Sequence, residues 1–121
     1  MANEVFIVSG ARTPIGSFMG NLSSFSAPEL AAAAIQKTLD ASSVEADQID
    51  EVLIGNVVSA GLKQAPARQA MRLAGIPDRC GATTINKVCG SGMKATMLAF
   101  VLIRSGSADT VLSLSLIHIS E

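Results

Sequence analysis

The cysteine at position 89 has the sequence context with the clearest potential for chemistry. Cys89 follows an apolar run typical of a buried strand, and Gly90-Ser91-Gly92 follow it where a helix is predicted to begin. The amides and dipole of a helix N-terminus favour an anion and therefore stabilise a thiolate. The glycines leave room for a bulky thioester, and a free amide at the strand-to-helix turn can donate to its oxyanion. The pattern predicts a nucleophilic cysteine suited to acyl transfer.

Other interpretations of the cysteines and glycines are less well supported. Most buried cysteines are inert, and Cys80, which follows a Pro-Asp-Arg turn without glycines, is predicted to be of that kind. Residues 90–95 match the dinucleotide-binding pattern G-x-G-x-x-A, but the acidic residue should close the next strand, whereas Asp109 precedes it. A zinc site is disfavoured because the two cysteines lack knuckle spacing and the chain has one histidine.

The elements that position Cys89 are predicted to alternate in the order β-α-β-α-β-α-β. A capping box, Ser26 with Glu29, predicts that the first helix begins at residue 27. This order predicts a layered α/β fold with parallel strands and right-handed crossovers. The predicted strands are residues 5–8, 49–54, 82–88 and a last one after 109; the predicted helices are residues 27–41, 66–74 and about 90–105. The polar loop at 11–25 is long enough to suggest a functional role.

The third predicted helix is apolar nearly all round. Met93, Met97, Phe100 and Val101 form one stripe at helical spacing, and most of the remaining positions are apolar as well. Such a helix is expected to be buried between two layers rather than to lie on a surface. Its methionines are interpreted as core filling and do not require a cofactor.

Composition excludes several classes of protein. The 121 residues are 49% hydrophobic, which supports a sizeable core, and their net charge of −1 disfavours nucleic-acid binding. No signal peptide is evident at the N-terminus, and no apolar run of about 18 residues predicts a membrane span. We therefore expect a cytoplasmic protein with both thiols reduced, without metal and without bound membrane or nucleic acid.

Three separated motifs resemble those of the thiolases, the family of acetyl-CoA acetyltransferases and 3-ketoacyl-CoA thiolases. The active-site segment of that family is similar to residues 84–95, TINKVCGSGMKA. Two further motifs carry the rest of the resemblance: residues 8–18, VSGARTPIGSF, and a motif in two parts, GNV at 55–57 with QAPARQA at 64–70. The resemblance runs from residue 4 to about residue 112, with the motifs in the family's order.

The resemblance implies a Claisen condensation that depends on Cys89. In the family, the matching cysteine takes an acyl group from acyl-CoA, its amide helps to hold the oxyanion, and a second acyl-CoA then attacks the acyl-cysteine. Thiolysis by CoA is the reverse reaction. The expected substrates are the coenzyme A thioesters acetyl-CoA and acetoacetyl-CoA, and no bound cofactor is expected. The whole protein is expected to be a homo-oligomer, either a dimer or a tetramer. Arg12, Asn86 and Lys87 are interpreted as framework or subunit contacts.

The chain also departs from the family. Thiolases are roughly three times as long, and their activating histidine, second catalytic cysteine and water-ordering asparagine have no counterpart here. Residues 1–112 are therefore predicted to be the first part of the N-terminal domain, and residues 113–121 a non-native tail, so that His118 is not expected to be the base. The chain alone is predicted to be inactive. A thiolase for longer chains, a ketoacyl-synthase-type enzyme and a non-catalytic acyl-CoA-binding or oligomerisation remnant stay open as alternatives.

Overall fold

A computed structural model describes residues 2–116. Helices and strands alternate around a three-stranded parallel sheet in the order β2-β1-β3. The helices are α1 (Ala27–Asp40), α2 (Pro66–Leu73) and α3 (Ser91–Arg104), and the strands are β1 (Glu51–Asn56), β2 (Gly81–Ile85) and β3 (Val111–Leu116), with a 3-10 turn at Ala46–Gln48. The predicted α/β class and the parallel pairing are confirmed.

Local sequence signals account for where the first two helices begin and end. The Ser26 hydroxyl accepts from the Glu29 amide at 3.3 Å, and the Glu29 carboxylate accepts from the Ser26 amide at 2.7 Å, which is the predicted capping box. Helix α2 begins at Pro66, whose missing N–H costs nothing in a first turn, and the chain leaves it at Gly75 with φ +87°.

Strand β1 lies in the middle of the sheet and is covered on both faces. Val52 and Ile54 face helices α1 and α2, where they join the larger core with Ile35 and Met71. Leu53 points to the opposite face and packs against Ala95 and Ala99 of α3. The alternation of side chains along a strand thus builds three layers, with α1 and α2 on one side of the sheet and α3 on the other.

The prediction of a strand at residues 5–8 is wrong for the described structure. These residues form no strand, and Ile7 is 89% exposed. Hydrogen bonds from residues on either side hold the segment against the helices. The backbone and side-chain amides of Asn3 donate to carbonyls at the end of α3, and the Ser9 hydroxyl donates to the Thr38 carbonyl at 2.8 Å. An apolar β-branched run favours extended backbone, but a strand also requires a hydrogen-bonding partner, and residues 5–8 have none among residues 2–116.

The expectation that α3 is buried all round is also wrong. Its small residues Ala95 and Ala99 face the sheet, whereas the predicted stripe points outward and Met97 is 53% exposed; the other exposed members are Met93, Phe100 and Val101. The four residues of the predicted stripe do lie on one face of the helix, but that face is exposed rather than buried. One sheet can cover only one side of a helix, and residues 2–116 provide no second layer over this side.

The last strand contains the first four residues of the tail that was predicted to be non-native. Residues 113–116 continue β3 in parallel register with β1, from Leu53↔Ser113 to Asn56↔Leu116. β3 is an edge strand among the described residues. The origin of residues 113–121 stays a prediction, and His118 lies outside the described residues. Within residues 2–116, no helix has both the length and the hydrophobicity needed to cross a lipid bilayer.

The two methionines Met71 and Met97 provide a matched test of these layers. Met71 is fully buried between α2 and the sheet, so Met71→Ala should lower the free energy of unfolding by about 2–5 kcal/mol. Met97→Ala, on the exposed face of α3, should cost less than about 1 kcal/mol. Urea denaturation followed by circular dichroism measures both. Equal losses, or a larger loss for Met97→Ala, would contradict this arrangement of layers.

A surface carboxylate joins the starts of the two neighbouring strands β1 and β3. Asp50 accepts from the amides of Asp109 at 2.8 Å and Thr110 at 3.0 Å, and its own amide donates to the Thr110 carbonyl. These backbone hydrogen bonds hold the pKa of Asp50 below its ordinary value, because they favour the charged form. The link should therefore stabilise the fold above about pH 3.9 and weaken as pH falls through the lowered folded-state pKa.

Asp50→Ala should accordingly destabilise the chain more at pH 7 than at pH 3. At acid pH the parent carboxyl is increasingly protonated, so that parent and variant converge. Urea midpoints at the two pH values measure the difference, with Asp40→Ala, an exposed aspartate at the end of α1, as the control. A stability difference for Asp50→Ala that does not shrink at pH 3 would rule out the proposed link.

Candidate active site

Cys89 lies in the connection between β2 and α3 at the carboxyl end of the sheet. Its thiol is exposed, and the helix begins two residues later at Ser91, with Gly90 as the N-cap. The predicted placement of Cys89 after a strand and before a helix is confirmed. The predicted strand at 82–88 ends earlier, at Ile85, because the next three residues turn out of the sheet.

The turn that carries Cys89 is tight and strained. Val88 has φ +48°, a left-handed conformation that is a genuine outlier for a β-branched residue and costs about 1–3 kcal/mol. The Gly90 amide donates to the Lys87 carbonyl at 3.0 Å, and the Ser91 amide donates to the Val88 carbonyl at 3.1 Å. The backbone thus folds back on itself around Cys89, much as a nucleophile elbow does.

Two side chains hold this turn. The Ser91 hydroxyl accepts from the Lys87 amide at 2.8 Å and donates to the Val88 carbonyl at 2.7 Å. The Asn86 carboxamide accepts from the Val88 amide at 3.0 Å and donates to the Val57 carbonyl at 3.4 Å. Sequence reasoning treated Ser91 only as part of a glycine-rich stretch and missed this role. A serine in the first helical turn, close after a predicted strand, was the available signal.

The other motif residues have modest surroundings. Asn86 makes turn hydrogen bonds, in agreement with its interpretation as framework. Lys87 contributes its backbone to the turn, and its side chain is exposed. Arg12 is exposed in the N-terminal loop, and within residues 2–116 it has no hydrogen-bonding or ion-pair partner. The structure brings Asn86 and Lys87 to the turn of Cys89 and gives Arg12 no contact there.

Two glycines let the start of α3 sit directly on the sheet. A Cβ atom on Gly55 would lie 2.5 Å from the Ser91 carbonyl carbon and 2.7 Å from the Gly92 nitrogen, so any side chain there would push the helix away. A Cβ atom on Gly92 would collide with the side chain of Ser115 on β3. The absence of a side chain at Gly92 therefore serves the packing of the helix on the sheet, and its predicted role in leaving room for substrate stays a prediction.

Two backbone amides in the first turn of α3 have no acceptor among residues 2–116. The Lys94 amide is the first in the helix to bond back, to the Gly90 carbonyl at 2.8 Å. No carbonyl or side chain of residues 2–116 accepts from the amides of Gly92 or Met93. A helix N-terminus with open amides attracts negative charge, whether it is a thiolate or an oxyanion formed on a bound acyl group.

The two cysteines differ in the way that the sequence predicted. Cys80 is 2% exposed and belongs to the larger core. Burial raises the pKa of the Cys80 thiol, and the nearby Glu51 carboxylate adds to this effect. A buried thiol with a raised pKa is a poor nucleophile, whereas Cys89 is open to solvent.

The surroundings of Cys89 are open rather than pocket-like. Among the concavities formed by the described residues, one lies between α1 and the turn after it (Leu39, Val44) and another lies near Leu62 and Gln69. Cys89 lines neither of them. Residues 2–116 also contain no group of three histidine, cysteine, aspartate or glutamate side chains that could hold a metal ion.

Comparisons with known proteins agree with the motifs and the fold. The family described as thiolase, N-terminal domain, matches residues 5–118. The mitochondrial acetyl-CoA acetyltransferase of Danio rerio is 49% identical over 111 residues, which are 92% of this chain and 26% of the relative. The cytosolic acetyl-CoA acetyltransferase of Gibberella zeae is 48% identical over 115 residues, 93% of this chain and 29% of the relative.

A solved structure gives the same result. The Acat5 thiolase of Ascaris suum, in complex with coenzyme A, superposes with a TM-score of 0.81 and 40% sequence identity over 83% of this chain and 26% of that one. An α/β fold with a cysteine at a strand-to-helix turn thus defines the class, and the chain belongs to the thiolase family, in its N-terminal domain. The chain spans between 26% and 29% of the length of these relatives.

The contact at Gly55 yields a stability prediction. Gly55→Ala should lower the free energy of unfolding by about 1–3 kcal/mol, because the new methyl group meets backbone atoms of α3 that cannot move aside cheaply. Gly10→Ala is the matched control, since a Cβ atom there meets nothing within 4 Å, and it should change stability by less than about 0.5 kcal/mol. Urea titrations compare the two, and equal effects would argue against the close approach.

Proposed function

We infer that this chain is the nucleophile-bearing part of an acetyl-CoA C-acetyltransferase, with Cys89 as the acyl acceptor. The observation that carries the proposal is the exposed Cys89 thiol, which lies two residues before the start of α3. Membership of the thiolase family and relatives named acetyl-CoA acetyltransferase support the same chemistry. The coenzyme A complex of the Ascaris suum thiolase supports CoA thioesters as substrates.

The proposed reaction has two steps. The Cys89 thiolate attacks the carbonyl carbon of acetyl-CoA, a C–S bond to Cys89 forms, and the C–S bond to CoA breaks, so that CoA leaves as a thiol after taking a proton. A second acetyl-CoA then loses an α-proton, and its carbanion attacks the acetyl-cysteine to give acetoacetyl-CoA and free Cys89. Thiolysis runs the same steps backwards. The amide of Cys89 donates to the oxyanion of the acyl-transfer step.

The remaining groups of the reaction are proposed to lie outside this chain. Cys80 is buried away from the site, so the described residues offer Cys89 no second thiol, and no histidine lies within residues 2–116. Proton abstraction from the second acetyl-CoA needs a base within hydrogen-bonding reach of its α-carbon. We therefore propose that the 121-residue chain accepts an acetyl group slowly but does not turn over. That the whole protein is a homo-oligomer is a separate proposal, which rests on the resemblance to the thiolases.

Acyl transfer to Cys89 can be tested directly. The chain is incubated with radiolabelled acetyl-CoA and digested, and the peptides are mapped by mass spectrometry. We expect one hydroxylamine-labile acetyl group on Cys89, its loss in Cys89→Ser and its retention in Cys80→Ser. Label on Cys80 or on lysines alone, or equal label in Cys89→Ser, would overturn the assignment of the nucleophile.

The same samples test the expected lack of turnover and the choice of substrate. Acetoacetyl-CoA formation should stay at the uncatalysed rate, and turnover that disappears in Cys89→Ser would contradict the inactivity of the chain. Faster labelling by longer acyl-CoA thioesters than by acetyl-CoA would favour a 3-ketoacyl-CoA thiolase of longer chains. Relatives include both mitochondrial and cytosolic forms, so a cytoplasmic location of this protein is a proposal as well.

A further inference from the structure

The hydroxyl of Ser91 is fully engaged inside the turn that carries Cys89. Ser91 is 3% exposed, although it is polar and lies at the first position of α3. Its oxygen accepts from the Lys87 amide, and its proton goes to the Val88 carbonyl. Both contacts lie within the chain itself, so the side chain connects the helix to the residues just before the cysteine rather than facing solvent.

The residue between these contacts is the one that carries backbone strain. Val88 has a left-handed conformation, which persists only where the surroundings impose it. The Ser91 hydroxyl holds the carbonyl of Val88 and the amide of the preceding Lys87, while Asn86 holds the Val88 amide. The peptide groups on both sides of the strained residue are therefore fixed by side-chain hydrogen bonds.

We propose that Ser91 is a positioning residue for Cys89: its hydroxyl holds Val88 in the left-handed conformation that presents the exposed Cys89 thiol at the start of α3. The proposal deepens the proposed acyl transfer and rests on it for its functional meaning. Ser91 touches neither the thiol nor any substrate in this account. It acts through the backbone of the turn.

Loss of the hydroxyl should weaken the reactivity of Cys89 without removing the cysteine. Ser91→Ala leaves the Lys87 amide without its acceptor and lets Val88 relax toward negative φ. The Cys89 thiol is then no longer held in one orientation at the start of α3. A thiol that samples several orientations presents its sulfur to an electrophile less often, so its reactions become slower.

Alkylation by iodoacetamide measures this effect without any CoA thioester. At pH 7.5, Ser91→Ala should slow the alkylation of Cys89 about threefold, a factor within the range that the net contribution of one hydrogen bond allows. Ser105→Ala is the matched control, because its hydroxyl bonds the Leu102 carbonyl at the far end of α3, and it should react at the parent rate. Slow labelling of the buried Cys80 in the same digest reports that each variant is folded.

A second substitution distinguishes positioning from a general structural role. Glycine takes the left-handed conformation without steric cost, so Val88→Gly in the Ser91→Ala background should restore at least half of the lost rate. A merely structural contribution of Ser91 predicts no rescue at residue 88. Parent-like alkylation of Ser91→Ala, or a slow double variant that stays folded, would overturn the proposal.

The unmodified chain supplies a measurement that does not depend on any variant folding. The Lys87 amide should exchange with solvent at least about tenfold more slowly than an unprotected amide, because its acceptor is a buried hydroxyl. Exchange of the Lys87 amide at the unprotected rate would contradict the hydrogen bond from this amide to the Ser91 hydroxyl. This result is informative even if the Ser91→Ala variant unfolds and its Cys80 becomes alkylated. If Cys89 is not acetylated but the variants are alkylated at the predicted rates, the proposed function is wrong and the positioning role of Ser91 is retained.

Discussion

The contact between the first turn of α3 and the central strand is the constraint on which the candidate site depends. Gly55 brings the backbone of β1 against that of Ser91 and Gly92, and Gly92 in turn fits against β3. Since the first contact joins backbone to backbone and the second joins Gly92 to the Cβ and hydroxyl of Ser115, the start of the helix has little freedom to shift relative to the sheet. The turn that carries Cys89 connects the end of β2 to this fixed helix start, and Val88 within it has a left-handed conformation.

Much of the fold could be predicted because its signals are local. The capping box at Ser26 and Glu29 marked the start of α1, and Pro66 with Gly75 bracketed α2. Where burial depends on what lies opposite, the sequence was insufficient. The apolar run at residues 5–8 and the apolar stripe on α3 both predict a surface that packs against another element. Neither pattern indicates whether that element belongs to the same chain. This chain spans about a quarter of its relatives, and within residues 2–116 both surfaces are exposed.

The candidate site was predictable in its position and not in its mechanics. A cysteine between a strand and a glycine-rich helix start can be recognised from residue types, and Cys89 lies there. A left-handed Val88 cannot be recognised in that way, because valine disfavours this conformation and only tertiary contacts impose it. The packing role of Gly92 could not be predicted for a related reason: the atom that it avoids, on Ser115, comes from a strand that is distant in the sequence. Asn56 stays unexplained, since its buried side-chain nitrogen has no partner among the described residues.

The central claim is that a strained turn presents one thiol at the start of a helix, where it accepts an acyl group. A crystal structure of the chain after treatment with acetyl-CoA tests both parts at once. The account predicts a thioester on the Cys89 sulfur, its carbonyl oxygen directed toward backbone amides, and Val88 still at positive φ with the Ser91 hydroxyl on its carbonyl. An unmodified Cys89 beside an acylated residue elsewhere, or a Val88 with ordinary negative φ, would contradict it.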